Sequence, residues 1–465
     1  MSFFSSELGR GPGRGVGSPR LVALLAIALV GACNVALPLG ELTAGCPAGQ
    51  RACNGKCVPA AAGTDCTLPG GDGGSTAIPV TAIASNAGAS HTCAVLEGGT
   101  VRCWGSHDSG QLGDAAPCSV NQPCTSQATP VVVKLDEPVD AIAVGQSHSC
   151  ARTMAGAVWC WGSNKQGQLG LGQVDTVAHA TPAKVPGLEG VKAVSAGSGS
   201  TCAILTDGSL RCWGDNSFGQ LGIPANVGGN NQQPSPVVVP GVSSVALVTG
   251  GSRHTCAMET VGNVSTLLCS GSNEFGQLGL PLTETQDLCA GNGGTQCSNG
   301  FKQFINATDV KGFSCGTRHT CVLRQDGSVQ CSGRAQDGEL GIGQLNKPPQ
   351  FSPQPIDLSS GALSFASIVS GASHTCGVLG ASNLIACWGL NTKGDVFTPT
   401  ATQALARPTT LPSAGTADSV AAGAGHTCVL SKGIVSCVGA NDVGQLGRGS
   451  ARDDVFDTAS PVINL

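Results

Sequence analysis

The sequence contains no tyrosine, only 3% aromatic residues and only 11% charged residues. It also lacks clustered lysine and arginine, and its formal net charge of −5 argues against nucleic-acid binding, which requires a basic surface. Because 41% of the residues are hydrophobic, the chain is not disordered. The 69 glycines and the few large side chains favour many short strands joined by tight turns.

No apolar run is long enough to span a membrane comfortably. The run Leu21–Val30 follows three arginines and precedes small residues, which predicts a secretory signal peptide over residues 1–32. The segment Val30–Cys33 resembles a bacterial lipobox, and this resemblance implies that Cys33 carries the lipid in the cell envelope. Because Asn34 is not aspartate, the outer membrane is favoured. An ordinary signal peptide, or an uncleaved anchor extending to Leu39, is the alternative.

Cysteine is abundant, and its 24 copies indicate an oxidising compartment. A tether of residues 33–45 leads into a small module of residues 46–67, and a glycine-rich linker of residues 68–77 follows. Four cysteines of the module could bind zinc, but their spacing and the export signal favour two disulfides of undetermined pairing. They are Cys46, Cys53, Cys57 and Cys66.

A repeated phrase organises residues 78–465. Its clearest copy, Gly199–Gly222, contains Ser-Thr-Cys, an Asp-Gly turn, Cys-Trp-Gly and Gly-Gln-Leu-Gly. The first cysteines of the seven copies are 52 to 65 residues apart, a period typical of a propeller or a solenoid. Two short β-branched segments before the phrase, the first of them Pro-Val-x-Val, bring each copy to about four strands, which is one blade.

The hairpin inside each copy predicts its own disulfide. A three-residue loop at Thr206–Gly208 places Cys202 directly opposite Cys212, and small changes of loop length give the same result in the other copies. A cross-strand disulfide contributes about 2.5–3 kcal/mol in the loop-entropy model. Buried free thiols are the alternative. The predicted bonds join Cys93 with Cys103, Cys150 with Cys160, Cys202 with Cys212, Cys256 with Cys269, Cys321 with Cys331, Cys376 with Cys387, and Cys428 with Cys437.

Three further features concern single segments. Cys118 with Cys124, and Cys289 with Cys297, are predicted to close two longer loops, and Cys315 is predicted to be a buried free thiol. The terminal residues 460–465 resemble the Pro-Val segments that precede other copies. We therefore expect the C-terminal strand to complete the first blade and so close the ring.

The motifs Gly-x-x-His-Thr-Cys, Cys-Trp-Gly-x-Asn and Gly-Gln-Leu-Gly resemble the repeat of the regulator of chromosome condensation family. The resemblance implies an all-β, seven-bladed β-propeller. Members of that family include a nuclear exchange factor, a plant photoreceptor and a secreted β-lactamase inhibitor, and export would exclude the nuclear role. This sequence departs from the repeat at Ser270, Ser332 and Val438, which replace tryptophan, and at Gly394–Val396.

Two repeated polar residues invite a catalytic or metal-binding interpretation. One histidine per blade cannot share a single ion because the blades are too far apart, so we expect each to bond the backbone of its own blade. The glutamine of Gly-Gln-Leu-Gly is expected to be scaffold for the same reason. The residues concerned are His91, His148, His254, His319, His374 and His426, with Ser200 in the third copy, and Gln111, Gln168, Gln220, Gln277 and Gln445.

The loops after Gly-Gln-Leu-Gly differ between copies and are expected to share one face. Variable loops on a rigid scaffold are common binding sites, although passive surface is the alternative. The loops span 114–129, 171–181, 223–235, 280–304 and 342–352.

The predicted function is that of a non-enzymatic, lipid-anchored scaffold, without metal or cofactor, that binds a protein or polysaccharide at the cell surface as a monomer. An inhibitor of an envelope hydrolase and a propeller enzyme with a central-channel site are the alternatives.

Overall fold

The computed structural model describes residues 78–465 apart from 117, 119–122, 225–230, 285–286, 290–294, 360, 399–402, 412–413 and 452–455, together with the backbone of three short strands before residue 60. The predicted lipid site at Cys33 and the pairing of Cys46, Cys53, Cys57 and Cys66 lie outside the described residues and side chains. Within the described part, no helix is both long and apolar enough to cross a membrane.

Seven sheets, here called blades 1 to 7, make up the propeller. Three strands precede it: β1 Val35–Ala36, β2 Gln50–Cys53 and β3 Lys56–Pro59. Blades 1 to 3 comprise β4 Val80–Ala84, β5 His91–Leu96, β6 Val101–Gly105 and β7 Gln127–Val132; β8 Val139–Val144, β9 His148–Thr153, β10 Val158–Ser163 and β11 Ala178–Lys184; β12 Val191–Ala196, β13 Ser200–Leu205, β14 Leu210–Asp215 and β15 Gln232–Val238. Blades 4 and 5 comprise β16 Val245–Gly250, β17 His254–Val261, β18 Val264–Ser272, β19 Asp287–Cys289 and β20 Thr295–Thr308; β21 Val310–Cys315, β22 His319–Arg324, β23 Val329–Ala335 and β24 Lys347–Pro355. Blades 6 and 7 comprise β25 Phe365–Ser370, β26 His374–Leu379, β27 Ile385–Leu390 and β28 Ala404–Thr410; β29 Ser419–Ala422, β30 His426–Ser431, β31 Ile434–Gly439 and β32 Phe456–Pro461. A 3₁₀ helix, Leu282–Glu284, lies between β18 and β19.

Within each blade the strands pair antiparallel with their neighbours in sequence. Blade 4 carries β19 as an additional edge strand beside β20, and β1 pairs with β12 of blade 3. The first strand of each blade contacts the first strands of its neighbours, including β29 against β4, so the seven blades form a closed ring. The predicted all-β, seven-bladed propeller is confirmed.

The predicted role of the C-terminal strand is wrong. β32 pairs with β31 of its own blade, with Ser460 opposite Cys437, while blade 1 has its own fourth strand in β7. The Pro-Val segment is thus the last strand of each repeat, because a strand pairs most simply with the strand that precedes it in the chain. Blades 7 and 1 share no strand and meet through side-chain packing. Trp104 of blade 1 lies in one core with Leu446 and Val462 of blade 7.

The hairpin register and the cysteine positions agree. Gly208 takes the left-handed conformation (φ 80°) in the loop between β13 and β14, and Cys202 lies opposite Cys212. All seven hairpins contain a disulfide between opposed cysteines, with Cα–Cα distances of 4.0–4.1 Å. These bonds join Cys93 with Cys103, Cys150 with Cys160, Cys202 with Cys212, Cys256 with Cys269, Cys321 with Cys331, Cys376 with Cys387, and Cys428 with Cys437, which are the predicted pairs.

The cysteines outside the hairpins also take the predicted states. Cys118 is bonded to Cys124 in the connection between β6 and β7, and Cys289 of β19 is bonded to Cys297 of β20. Cys315 forms no disulfide and is buried, and its thiol donates to the carbonyl of Thr249 at 3.5 Å.

The hydrophobic core is divided into layers between neighbouring blades. In one layer, Val158 of blade 2 packs with Val194 and Trp213 of blade 3. The tryptophans at this position in four blades are fully buried, and each supplies a large apolar surface that one blade alone could not cover. Blade-to-blade contacts are therefore the main source of stability from burial.

Candidate functional site

The antiparallel order of the strands gives the propeller two distinct faces. The connections between first and second strands, and those between third and fourth strands, emerge on the same face, which we call the loop face. The hairpins between second and third strands lie on the opposite face, the hairpin face. The five predicted variable loops begin on the loop face, but each predicted segment also includes the start of the fourth long strand of its blade. The segment 280–304 contains the 3₁₀ helix and β19 as well.

The repeated histidines join six of the seven blades to the next one. His148 Nε2 lies 2.9 Å from Thr201 Oγ1, and that hydroxyl donates to the carbonyl of Gln168 at 2.8 Å. Because the Thr201 hydroxyl already donates its proton to Gln168, the donor in the contact between the two side chains is the Nε2–H of His148. The expectation that each histidine bonds its own blade's backbone is wrong, because the hydroxyl of the next blade lies within reach. The equivalent pairs are His91–Ser149, His254–Thr320, His319–Thr375, His374–Thr427 and His426–Thr92.

Burial keeps these imidazoles neutral. Desolvation lowers the pKa of His148 to about 3 and that of His426 to about 4, and the other four behave like His148. Because an unfolded imidazole has a pKa near 6.5, the unfolded chain binds more protons below that pH. Stability therefore falls as the pH drops from about 6.5 towards 3.

Histidine and cysteine come close together at two places in the described ranges. His107 is near Cys118 and Cys124, and His254 is near Cys256 and Cys315. Cys118 and Cys124 are bonded to each other, and Cys256 is bonded across its hairpin. Cysteine binds a metal as a free thiolate, so the disulfides remove these cysteines as ligands and neither place keeps three ligands.

The repeated glutamines close the turns of the loop face. Gln168 Oε1 accepts from the backbone N–H of Gln166 at 2.9 Å, and its carbonyl accepts from both Thr201 and Trp213 Nε1. The other four glutamines accept from the residue two positions earlier in the same way. These contacts are structural.

In blade 6 the glutamine is replaced by Asp395, which is 2% exposed. Desolvation raises its pKa to about 7, although the backbone N–H groups of Lys393 and Asp395 and the charge of Lys393 partly oppose this shift. The Asp395 carbonyl still accepts from Thr427 at 2.6 Å, so the replacement keeps this contact of the turn. It also buries an ionisable group whose Oδ1 has no hydrogen-bond partner.

The central axis is filled at the loop face by blade 1. Six residues, 85–90, connect its first two strands, whereas three residues make this connection in each other blade. The side-chain amide of Asn86 donates to the carbonyl of Ala196 at 2.7 Å and to that of Gly250 at 3.3 Å, and Asn86 is fully buried. The longer spacing before His91 was the sequence signal for this contact, which the sequence analysis did not use.

Two arginine–phenylalanine pairs depart from the repeat on the loop face. The Arg253 guanidinium of blade 4 lies 4.5 Å from the ring centroid of Phe218 in blade 3. The Arg318 guanidinium of blade 5 lies 4.9 Å from the ring centroid of Phe275 in blade 4. Both distances are within the range of a cation–π interaction. The other blades have serine or glycine at the arginine position, so these pairs are confined to blades 3 to 5.

A cleft of about 70 Å³ lies between the two arginines. Its lining includes Arg253, Glu274, Thr317 and Arg318. The other lining residues are Ser252, Ser272, Phe275 and Gln277. Arg253 Nη1 is 3.9 Å from Glu274 Oε2, and both side chains are more than 40% exposed, so this ion pair contributes little. We name the surface formed by Phe218, Arg253, Glu274, Phe275 and Arg318 the arginine sector.

Comparison with known proteins identifies the repeat. A family model described as an RCC1-like domain matches residues 65–357. The ultraviolet-B receptor UVR8 of Arabidopsis thaliana is 32% identical over 312 residues, which cover 66% of this chain and 65% of the receptor. The probable E3 ubiquitin-protein ligase HERC6 of Homo sapiens is 30% identical over 327 residues, 68% of this chain but 29% of the human protein. The chain thus spans less than two thirds of either relative.

Solved structures show the same fold. Prp20p from Saccharomyces cerevisiae, studied for its binding to Gsp1p and histones, matches with a TM-score of 0.66 and 20% identity over 84% of this chain and 87% of Prp20p. Human WBSCR16 matches with a TM-score of 0.65 and 18% identity over 78% of this chain and 93% of the human chain.

Proposed function

Because this chain belongs to the RCC1-like family, whose propellers are scaffolds that bind other proteins, we propose that it is a non-enzymatic scaffold that holds a partner macromolecule against its loop face. The arginine sector is the centre of the proposed contact. Repetition in every blade indicates a structural role, and the histidines and glutamines meet that description. The two arginine side chains occur in only two copies and are partly exposed to solvent, so the scaffold does not account for them.

The surroundings of the arginine sector support this position. The blade 4 insertion, which starts beside it at Leu280, is braced by the Cys289–Cys297 disulfide. A braced loop loses less conformational entropy when a partner orders it. Arginine and phenylalanine are also enriched at the centres of protein interfaces.

The cellular location belongs to the same proposal. We propose that the chain is exported and anchored through Cys33, with the propeller held away from the membrane by residues 34–77. Nine disulfides among the described residues support an oxidising compartment. Mass spectrometry of the mature N-terminus tests the anchor. A chain that is not cleaved before Cys33, or a Cys33 without lipid, would contradict it.

Site-directed photo-cross-linking tests the binding function. A photoreactive amino acid replaces Glu274 on the loop face, and the control carries it at Asp207 on the hairpin face. Both positions are acidic residues in exposed turns of the full chain. We expect a discrete cross-linked product in envelope extracts from position 274 only. Equal products from both positions, or none from position 274, would contradict the proposal.

A further inference from the structure

The cleft between Arg253 and Arg318 is the one feature of the arginine sector whose shape and charge limit what can enter it. Its volume of about 70 Å³ is far below the roughly 300–1,000 Å³ of a pocket for a small-molecule ligand. A sugar ring or a nucleotide does not fit within it. A single side-chain head group does.

The cleft offers mainly hydrogen-bond donors. Two of its three charged side chains are arginines, and Ser252 adds a hydroxyl to the lining. The hydroxyl of Thr317, which also lines the cleft, donates to the carbonyl of Ala87 at 3.4 Å. The opposing charge, Glu274, is 3.9 Å from Arg253, which is beyond a good hydrogen bond. A guanidinium presents its donors as a planar fork that matches a carboxylate.

The arginines are also held in place before any partner arrives. Each guanidinium lies over a phenylalanine ring of the preceding blade, and Phe218 is itself 7% exposed. Stacking restricts the long arginine side chain and so lowers the entropy lost on binding. By contrast, the nearby Arg334 is already bound by Asp337 and Glu339 and has no comparable freedom to accept a new anion.

We propose that the cleft receives the carboxylate of an aspartate or glutamate from an acidic segment of a protein partner. This inference rests on the proposed binding function and specifies the chemistry of the partner. The incoming carboxylate takes the place of Glu274 opposite Arg253 and bonds Arg318 at the same time. The formal net charge of −5 does not oppose this, because screening limits charge effects to about 10 Å at ordinary ionic strength.

The test measures fluorescence anisotropy of a labelled pentaglutamate peptide added to the full chain at about 0.1 M salt, with a pentaglutamine peptide as the neutral probe. The double variant Arg253→Gln/Arg318→Gln removes both guanidiniums. The matched control Lys165→Gln/Lys393→Gln removes two exposed positive charges from the same face, in blades 2 and 6. We expect about tenfold weaker binding of pentaglutamate to the arginine variant and less than about a twofold change in the control.

Several outcomes would overturn the inference. Equal losses in both double variants would indicate non-specific attraction, and undetectable binding to the unaltered chain would also contradict it. Displacement of the peptide by millimolar inorganic phosphate but not by acetate would assign the cleft to phosphate. Far-ultraviolet circular dichroism must show that both double variants are folded. The variant Arg318→Lys keeps the charge but not the planar fork of donors, so its affinity for pentaglutamate should lie between the affinities of the two double variants.

The inference and the proposed function can fail separately. If cross-linking from position 274 succeeds while pentaglutamate does not bind, the loop face binds a partner of different chemistry. If both experiments fail, the function itself is contradicted.

Discussion

The junction between blades 2 and 3 and the junction between blades 3 and 4 hold equivalent positions in the ring but differ in their contacts. At the first, His148 bonds Thr201, and both Thr201 and Trp213 bond the carbonyl of Gln168. At the second, Ser200 replaces the histidine, and the buried hydroxyl of Thr255 has no hydrogen-bond partner.

The tryptophan is also missing from the second junction. Ser270 stands in its place and donates to the carbonyl of Gly219 at 2.7 Å. The same junction carries the Arg253–Phe218 pair on its loop face. At the junction between blades 3 and 4, the buried histidine and tryptophan are therefore both replaced, and the loop face carries an additional arginine–phenylalanine pair. Near-identical blades can therefore be joined by contacts of unequal strength.

We call the junction between blades 2 and 3 the complete junction, and the junction between blades 3 and 4 the incomplete junction. The largest expected effect comes from removing the tryptophan of the complete junction. Trp213→Ser removes a fully buried ring and should lower the free energy of unfolding by about 3–5 kcal/mol. Urea unfolding under non-reducing conditions measures this. Trp159→Ser, at a partly exposed position of blade 2, should have a much smaller effect. Equal losses would show that junction packing is not what stabilises the ring.

Blade 6 separates hydrogen bonding from charge, because Asp395 replaces the glutamine. Its pKa is about 7 in the folded chain, whereas the ordinary pKa of an aspartate is 3.8. The unfolded chain therefore loses this proton first, and stability falls as the pH rises from about 4 to 7. Asp395→Asn should stabilise the chain by about 2–4 kcal/mol at pH 8 and have little effect at pH 4. Unfolding curves at both pH values measure the difference. A gain independent of pH would contradict the burial of a charge.

A matched pair of substitutions tests the hydroxyl contacts. Thr201→Val breaks two hydrogen bonds at the complete junction and should cost about 1–3 kcal/mol. Thr255→Val removes a buried hydroxyl without a partner at the incomplete junction and should be neutral or stabilising. Both are measured by urea unfolding at pH 7. The comparison between the junctions would be wrong if Thr255→Val were the more costly change.

The smallest expected effect comes from restoring the missing contact. In blades 2 and 4 to 7 the histidine ring packs against the glycine three residues earlier, and in blade 3 the corresponding Gly197 faces the hydroxyl of Ser200. Ser200→His should therefore bond Thr255 and stabilise the chain by about 0.5–1.5 kcal/mol. In the Ser200→His, Thr255→Val double variant most of this gain should disappear. A gain that survived would come from packing.

The sequence analysis was most successful where partners are close in the chain. The pairing of Cys202 with Cys212 follows from the three-residue loop of their hairpin. Small changes of loop length give the cysteine pairs of the other blades in the same way. It was wrong about the C-terminal strand because the Pro-Val segment resembles its counterparts equally well at either end of a repeat. It was wrong about the partner of His148 because Thr201, which bonds it, lies 53 residues away in another blade.

The sequence by itself determined the number of blades, the hairpin pairing inside each and the cysteines that join the two strands of each hairpin, because the period and the hairpin register are local properties of the chain. The tertiary structure decided how the ring closes, where Asn86 crosses the axis and which arginine lies over which phenylalanine. These contacts join residues from different blades. Their distances depend on the curvature of the ring, which no single repeat encodes.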